Sequence, residues 1–178
     1  AYESSWNFTY NEISKNLLSL SQSFSNSINN VREDFFQLHS NEEELNRIFI
    51  KIYGLEEELK PEVPLKDITI LQEELDRKVL EALEEDFRAK GAEAIELPIK
   101  KDVVMQQFIS YAMGVFMGRY RLDRPGLHIA HPDAEAKEIE PYQYNGQHVE
   151  IDDDAIIPLM GSGCNFADDA VNRFKSFL

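Results

Sequence analysis

From Leu17 onward the apolar residues Leu17, Leu20, Phe24, Ile28, Val31, Phe35 and Leu38 recur at intervals of three and four. That spacing puts them on one face of a helix, whereas a strand would scatter them over both faces, so it predicts a long amphipathic helix near the start of the chain. The opposite face carries Ser21, Ser23, Ser25, Asn26, Ser27, Asn29 and Asn30. Serine and asparagine have middling helix propensity, so packing of the apolar stripe must supply most of the stability. The simplest use of the stripe is packing inside its own domain; a coiled-coil or partner seam is the alternative.

Downstream, Ser40-Asn41-Glu42-Glu43 has the form of a capping box and predicts a second helix through Leu45, Ile48, Phe49 and Ile52, closed by Gly54. Pro61 and Pro64 interrupt regular helix, and Asp67 to Ile70 alternates as one strand would. A third helix follows with Leu71, Leu75, Val79, Leu83 and Phe87 on one face, an acidic, solvated surround (Glu73, Glu74, Glu81, Glu84, Glu85) and a stop at Gly91. After a strand-like stretch from Ala94 to Ile99, Asp102 is placed to cap an apolar helix from Val103 to Met117. Apolar residues on several of its sides (Phe108, Ile109, Tyr111, Ala112, Val115, Phe116) mark it as the central core element. Beyond Gly118 turn signals crowd together: Arg124-Pro125-Gly126, His131-Pro132-Asp133, Glu140-Pro141 and Asn145-Gly146. Between them His128 to Ala130 and Gln147 to Ile151 are expected to pair as strands, and Phe166 to Leu178 to form a last helix.

The fold class expected is thus mainly α, a bundle-like arrangement of about five amphipathic helices with small β elements. Its division is expected to be a helical domain over 1–126 and a loop-rich region over 127–178 with a short β-hairpin and the terminal helix. With 178 residues, 43% of them hydrophobic, the chain is long enough to bury a core. It begins without Met and ends inside an apolar pattern, which suggests a piece cut from something longer.

Against 33 acidic residues stand 18 basic ones, a net charge of −15 that repels phosphate backbones at long range. Any contact with DNA must therefore be local. The one cysteine, Cys164, has no partner for an internal disulfide, and no apolar run approaches the length of a membrane span, so a cytoplasmic protein with no membrane partner is expected.

Few residues suggest chemistry. His128 and His131 with Asp133 are a plausible start for a metal site, but residues three apart on an extended chain point to opposite faces, and ordinary loop histidines are the simpler reading. Asp152-Asp153-Asp154 lacks the alternating oxygens and turn glycine of a hard-cation loop and reads as a solvated turn or a cap. Gly161-Ser162-Gly163 completes neither phosphate-binding fingerprint, and Cys164 has no catalytic partner in its context. No catalytic, cofactor-binding or metal residue is assigned. The exception to the acidic surroundings is Arg119-Tyr120-Arg121-Leu122-Asp123-Arg124, directly after the central helix. Cations there complement the helix dipole; alternatively Arg119, Tyr120, Arg121 and Arg124 form a local DNA contact, because guanidinium grips phosphate oxygens bidentately and tyrosine adds a hydrogen bond or a stack.

Three stretches, in order, resemble the large adenine-specific DNA methyltransferases of BREX phage-defence systems, the PglX family. They are Glu3-Ser4-Ser5-Trp6-Asn7-Phe8, the run from Asn41 to Leu55 (NEEELNRIFIKIYGL), and the run from Ile109 to Tyr120 (ISYAMGVFMGRY). Asp154 to Leu159 and Asp168 to Phe174 look like the family's next segment, whereas Glu84 to Lys101 looks like an insertion and Ala134 to Gln147 matches nothing recognised. The resemblance implies a position after the methyltransferase core and beside the part that selects the DNA sequence. The core would hold the S-adenosylmethionine glycines and an Asn-Pro-Pro-Tyr type motif for the flipped adenine. Glu140-Pro141-Tyr142 has one Pro and no preceding Asn, so no family catalytic residue carries over. The expectation is a non-catalytic segment linking core and target-recognition part, with no cofactor of its own and S-adenosylmethionine in the parent. Its partners would be the parent's remaining domains, DNA through the parent, and other defence-system proteins. The alternative from another class is a free-standing acidic interaction module that imitates DNA charge.

Overall fold

The computed structural model describes residues 3, 7–16, 19–154, 156–161, 163 and 166–177. Leu17, Ser162, Cys164 and Leu178, with residues 4–6 and Ala155 of the resembling stretches, lie outside the described residues. The described residues form four α-helices and two antiparallel strand pairs: α1 (Leu20–Tyr53), α2 (Arg77–Lys90), α3 (Lys101–Phe116), β1 (Tyr120–Arg121), β2 (Arg124–Leu127), β3 (Tyr142–Tyr144), β4 (Gln147–Val149) and α4 (Ala170–Phe177). The chain divides into two compact units, one of residues 26–104 and one of residues 1–25 with 105–178.

In the unit of residues 26–104 the core gathers Phe35, Leu65, Ile68, Leu75, Leu80 and Leu97, with Phe36 and Phe87 partly buried against them. Here the two helices expected on either side of Ser40 are one. A capping box requires the glutamate to turn back on its own N-cap, and Glu43 instead accepts the Val63 amide at 3.0 Å and the Arg88 guanidinium at 2.6 Å. His39, buried one turn earlier, meets the Val63 carbonyl at 2.8 Å. Ser40 and Asn41 are then ordinary helix positions, and α1 runs on to Gly54, whose φ of 66° supports a Schellman ending: Leu55 N–H donates to the Ile50 carbonyl at 2.9 Å and Gly54 N–H to the Lys51 carbonyl at 3.3 Å. Five expected helices become four.

No strand forms over Asp67 to Ile70. Leu65–Asp67 is a 3-10 turn, and the guanidinium of Arg77 donates to the carbonyls of Lys66 (2.8 Å), Ile68 (2.7 Å) and Ile70 (3.3 Å), which removes them from any ladder. The third helix also starts later than its stripe suggested. Asp76 caps α2 by accepting from Lys78 and Val79 N–H; Leu71 lies outside at a φ of 56°, and Leu75 makes an isolated bridge with Ile99. Apart from that bridge, Ala94 to Ile99 is not a strand.

In the other unit α3 supplies the centre, burying Phe108, Tyr111, Ala112, Val115 and Phe116. On one side α4 packs Phe174 and Phe177 on Phe108, with ring centroids at 5.8 and 6.0 Å. The buried Asp169 caps α4, accepting Val171 N–H at 3.0 Å and holding Met160 N–H at 2.8 Å. The strand from Gln147 does form, but its partner is β3 through the Asn145-Gly146 turn, whose two positive φ angles give the chain its tight reversal. His128 and Ile129 instead donate to the carbonyls of Arg119 (2.8 Å) and Gly118 (3.1 Å), prolonging the β1–β2 hairpin.

Phe35 is wholly buried, while Phe24 is half-buried. Phe35→Ala is expected to lose about 3–5 kcal/mol, the cost of truncating a large core aromatic, and Phe24→Ala distinctly less. Urea titration of the two purified variants beside the parent measures both.

Candidate functional site

The arginine-rich stretch after α3 is built on aromatic rings. Gly114 lies on α3 where a Cβ would stand 2.7 Å from Cδ2 of Tyr120, so only glycine admits the ring. Tyr120 then stacks on Tyr111 at 5.2 Å and 26°, and Phe8 closes edge-on against both, at 5.8 and 5.2 Å. Burial pushes the Tyr111 hydroxyl up to about 12. Tyr120 is also raised, by burial first and then by the charge and hydrogen bond of Glu3. Both are neutral phenols throughout the physiological range, and neither is available as an exposed stacking platform.

From this base the chain reverses over Leu122 and Asp123, pairing Arg121 with Arg124 and Tyr120 with Leu127. Arg124-Pro125-Gly126 is therefore strand rather than turn, with Gly126 N–H donating to the Thr9 carbonyl at 2.7 Å. The arginines divide sharply. Arg121 is buried: its Nε and Nη2 donate to the two carboxylate oxygens of Asp123, each at 2.8 Å, and its guanidinium carbon lies 3.9 Å from the Tyr142 ring centroid. The Tyr142 hydroxyl accepts Leu122 N–H at 3.0 Å, so one tyrosine grips the turn at two points. Arg119 and Arg124 are exposed, and Arg124 lies 3.8 Å from Asp123 and 3.5 Å from the His128 ring. Of the four expected contact residues, two face solvent and two hold the hairpin. The residues that sequence reasoning missed are Gly114 and Tyr142. Asp123, two places from Arg121, was a local signal for the ion pair; nothing local ties Tyr142 to a side chain twenty-one residues earlier.

The histidines are engaged nearby. His128 Nε2 meets the Glu138 carbonyl at 2.8 Å, and His131 Nε2 meets the Glu138 carboxylate at 3.2 Å. The amide of Glu135, followed by His131, holds Glu138 below the ordinary carboxylate range. Asp133 is exposed. Among the described residues, one group of three or more ligating side chains has metal-like spacing, Asp152, Asp153 and Asp154, with oxygens within 4.8 Å of one another. The buried Asp152 already accepts Ile156 N–H (3.1 Å) and the Arg173 guanidinium (2.6 Å). It serves as a strut to α4. Arg173, shared between Asp152 and Asp168, borders a cavity of about 430 Å³ walled by Phe116, Leu122, Val149 and Phe177. Its charge is neutralised there, so the cavity offers no free cation from this residue.

Taken over its whole length, the chain is similar to part of known adenine-specific methyltransferases. The adenine-specific methyltransferase PglX of Lacticaseibacillus casei (strain Zhang) is 33% identical over 186 residues, spanning 100% of this chain. The adenine-specific methyltransferase BrxX of Escherichia coli O9:H4 (strain HS) is 27% identical over 177 residues, spanning 99% of this chain. The chain covers 13% and 14% of the length of these curated relatives. No family model and no solved structure matches it. No helix is long and apolar enough to cross a membrane among the described residues.

Two outcomes check the site. Gly114→Ala is expected to destabilise by about 1–2 kcal/mol, the overpacking against Tyr120 exceeding the gain in helix propensity; an unchanged thermal midpoint contradicts the close seat. The second concerns acid. The hydrogen bonds of Arg121 hold Asp123 below the ordinary aspartate range. Its stabilising contribution is thus complete above the unfolded value of about 3.9 and disappears as pH falls through the lower folded value. NMR titration of the Asp123 carboxyl should give a midpoint below that of an exposed aspartate, and Arg121→Ala should return it to the ordinary range.

Proposed function

We propose that this chain is a non-catalytic segment of a large, S-adenosylmethionine-dependent adenine-N6 DNA methyltransferase of a BREX or related restriction-modification phage-defence system. In this reading it links the methyltransferase core to the DNA target-recognition part, and its remaining partners are the other domains of that protein. The observation that carries the reading is the end-to-end similarity to two proteins named as adenine-specific methyltransferases, each several times longer than this chain. The sequence has neither cofactor glycines nor an Asn-Pro-Pro-Tyr motif, and its Pro141-Tyr142 pair supplies the ring under Arg121 instead. Cofactor binding and methyl transfer therefore belong elsewhere in the longer protein.

Contact with DNA in this reading is made by Arg119 and Arg124. Both side chains reach solvent, Arg124 with Asp123 at 3.8 Å and the His128 ring at 3.5 Å beside it, and the buried pair Tyr120 and Arg121 fixes the hairpin that carries them. Phosphate contacts position an enzyme without reading sequence. The acidic DNA-mimic reading draws on the charge of −15 alone.

Two measurements test these statements. Calorimetric titration of the chain with S-adenosylmethionine is expected to give no saturable binding; a one-to-one isotherm at micromolar cofactor overturns the non-catalytic assignment. In the full-length protein, Arg124→Ala is expected to weaken binding to cognate and unrelated duplexes alike and to lower the log-salt slope by about one, with thermal stability unchanged. Arg121→Ala is expected to lower stability. Unchanged affinity and slope for Arg124→Ala on both duplexes rule out the phosphate contact.

A further inference from the structure

The last four turns of α1 are covered on one side only. Glu43 and Asn46 face the connector, bonding Val63 N–H at 3.0 Å and the Pro61 carbonyl at 3.2 Å. At 100° per residue, Leu45, Ile48, Phe49 and Ile52 centre about 140° around the helix from the midpoint of that contact, and Tyr53 lies between them and Asn46. These four and Tyr53 are all exposed, Ile52 at 67% and Tyr53 at 70%, and the Phe49 and Tyr53 rings stack at 6.4 Å and 18°. Further up the same helix Phe35 and His39 are buried. An amphipathic helix whose apolar residues run on into water beyond its buried stretch is unusual, because scattered exposed apolar residues are ordinary but a continuous stripe is an interaction surface.

Size and charge decide what covers it. The five side chains leave roughly 100 Å² each in solvent, about 500 Å² together, whereas a stable interface between separate proteins buries about 800 Å² per partner. Two copies of this chain also bring −15 charges each to the contact. A surface carried on the same polypeptide needs less area, since tethering supplies a high effective concentration. At its Tyr53 end the stripe is followed by the exposed acids Glu56, Glu57 and Glu58, while Glu44 at the other end is already paired with Arg47.

We infer that the Leu45–Tyr53 face of α1 docks an apolar surface bordered by Lys or Arg, carried by the longer polypeptide, with the basic border against Glu56 to Glu58. This rests on the reading of the chain as a segment of a larger methyltransferase. Docking here would fix α1, and the capped connector strapped to it, against another domain without using any group of the arginine hairpin.

Hydroxyl-radical footprinting of the unmodified proteins is the test. In the isolated 178-residue chain at low concentration, Phe49 and Tyr53 are expected to oxidise at rates typical of exposed rings. In the full-length protein the same two residues are expected to oxidise several-fold more slowly. A full-length variant carrying Glu56→Lys, Glu57→Lys and Glu58→Lys should move Tyr53 back toward the rate of the isolated chain. Equal rates in chain and full-length protein overturn the docking, as does protection in the isolated chain that grows with its concentration, which would assign the face to a second copy. Adenine methylation by the same full-length preparation separates the two levels. Methylation with equal oxidation rates removes the docking alone; protection without methylation removes the methyltransferase reading and leaves the docking in place.

Discussion

The approach of the Tyr120 ring to Gly114 determines where the arginine hairpin stands. A side chain at position 114 would occupy the space of the ring, and the ring is held on its other sides by Tyr111 and Phe8. With Tyr120 seated, Arg121 is carried inward to Asp123 and Tyr142, and its neighbours on either side, Arg119 and Arg124, are left outward. A turn joining two short strands has little stability of its own. Its rigidity comes from buried rings and one bidentate ion pair.

Much of the acidic composition serves the fold itself. Many carboxylates are absorbed in fixed structural bonds: Glu43 and Glu84 with Arg88, Glu81 with Lys66, Asp152 with Arg173, Asp76 and Asp169 as helix caps. Burial opposes ionisation of Glu43, but the Arg88 hydrogen bond, the Val63 amide and the charges of His39 and Arg88 together hold it below the usual glutamate range. These bonds tie distant stretches of chain together, and a connector such as residues 61–65 owes its course to them.

Helix existence was legible in the sequence wherever the signal was local. The stripe from Leu20 to Phe35, the stop signals at Gly54 and Gly91, the central helix and the Asn145-Gly146 turn all lie where short-range rules put them. The departures come from partners far along the chain. Glu43 abandons its capping box for Arg88, forty-five residues away, and Arg77 takes the carbonyls that a strand at Asp67 to Ile70 would need. Along α1 the residues Ser23 and Ser27, which belong to the polar face by composition, are buried. In the candidate site, three arginines within six positions look equivalent as text; only the irregular register between Tyr120 and Arg121 and a tyrosine from β3 distinguish the inward one.

Steady-state adenine methylation by the full-length protein, measured against DNA concentration for the parent and for Arg119→Glu/Arg124→Glu, addresses the central claim most directly. The account predicts a raised KM for DNA, with kcat and the KM for S-adenosylmethionine unchanged, because the reversed charges repel phosphate and touch neither cofactor nor adenine. An unchanged KM for DNA, or a fall in kcat with the KM for DNA intact, would contradict it.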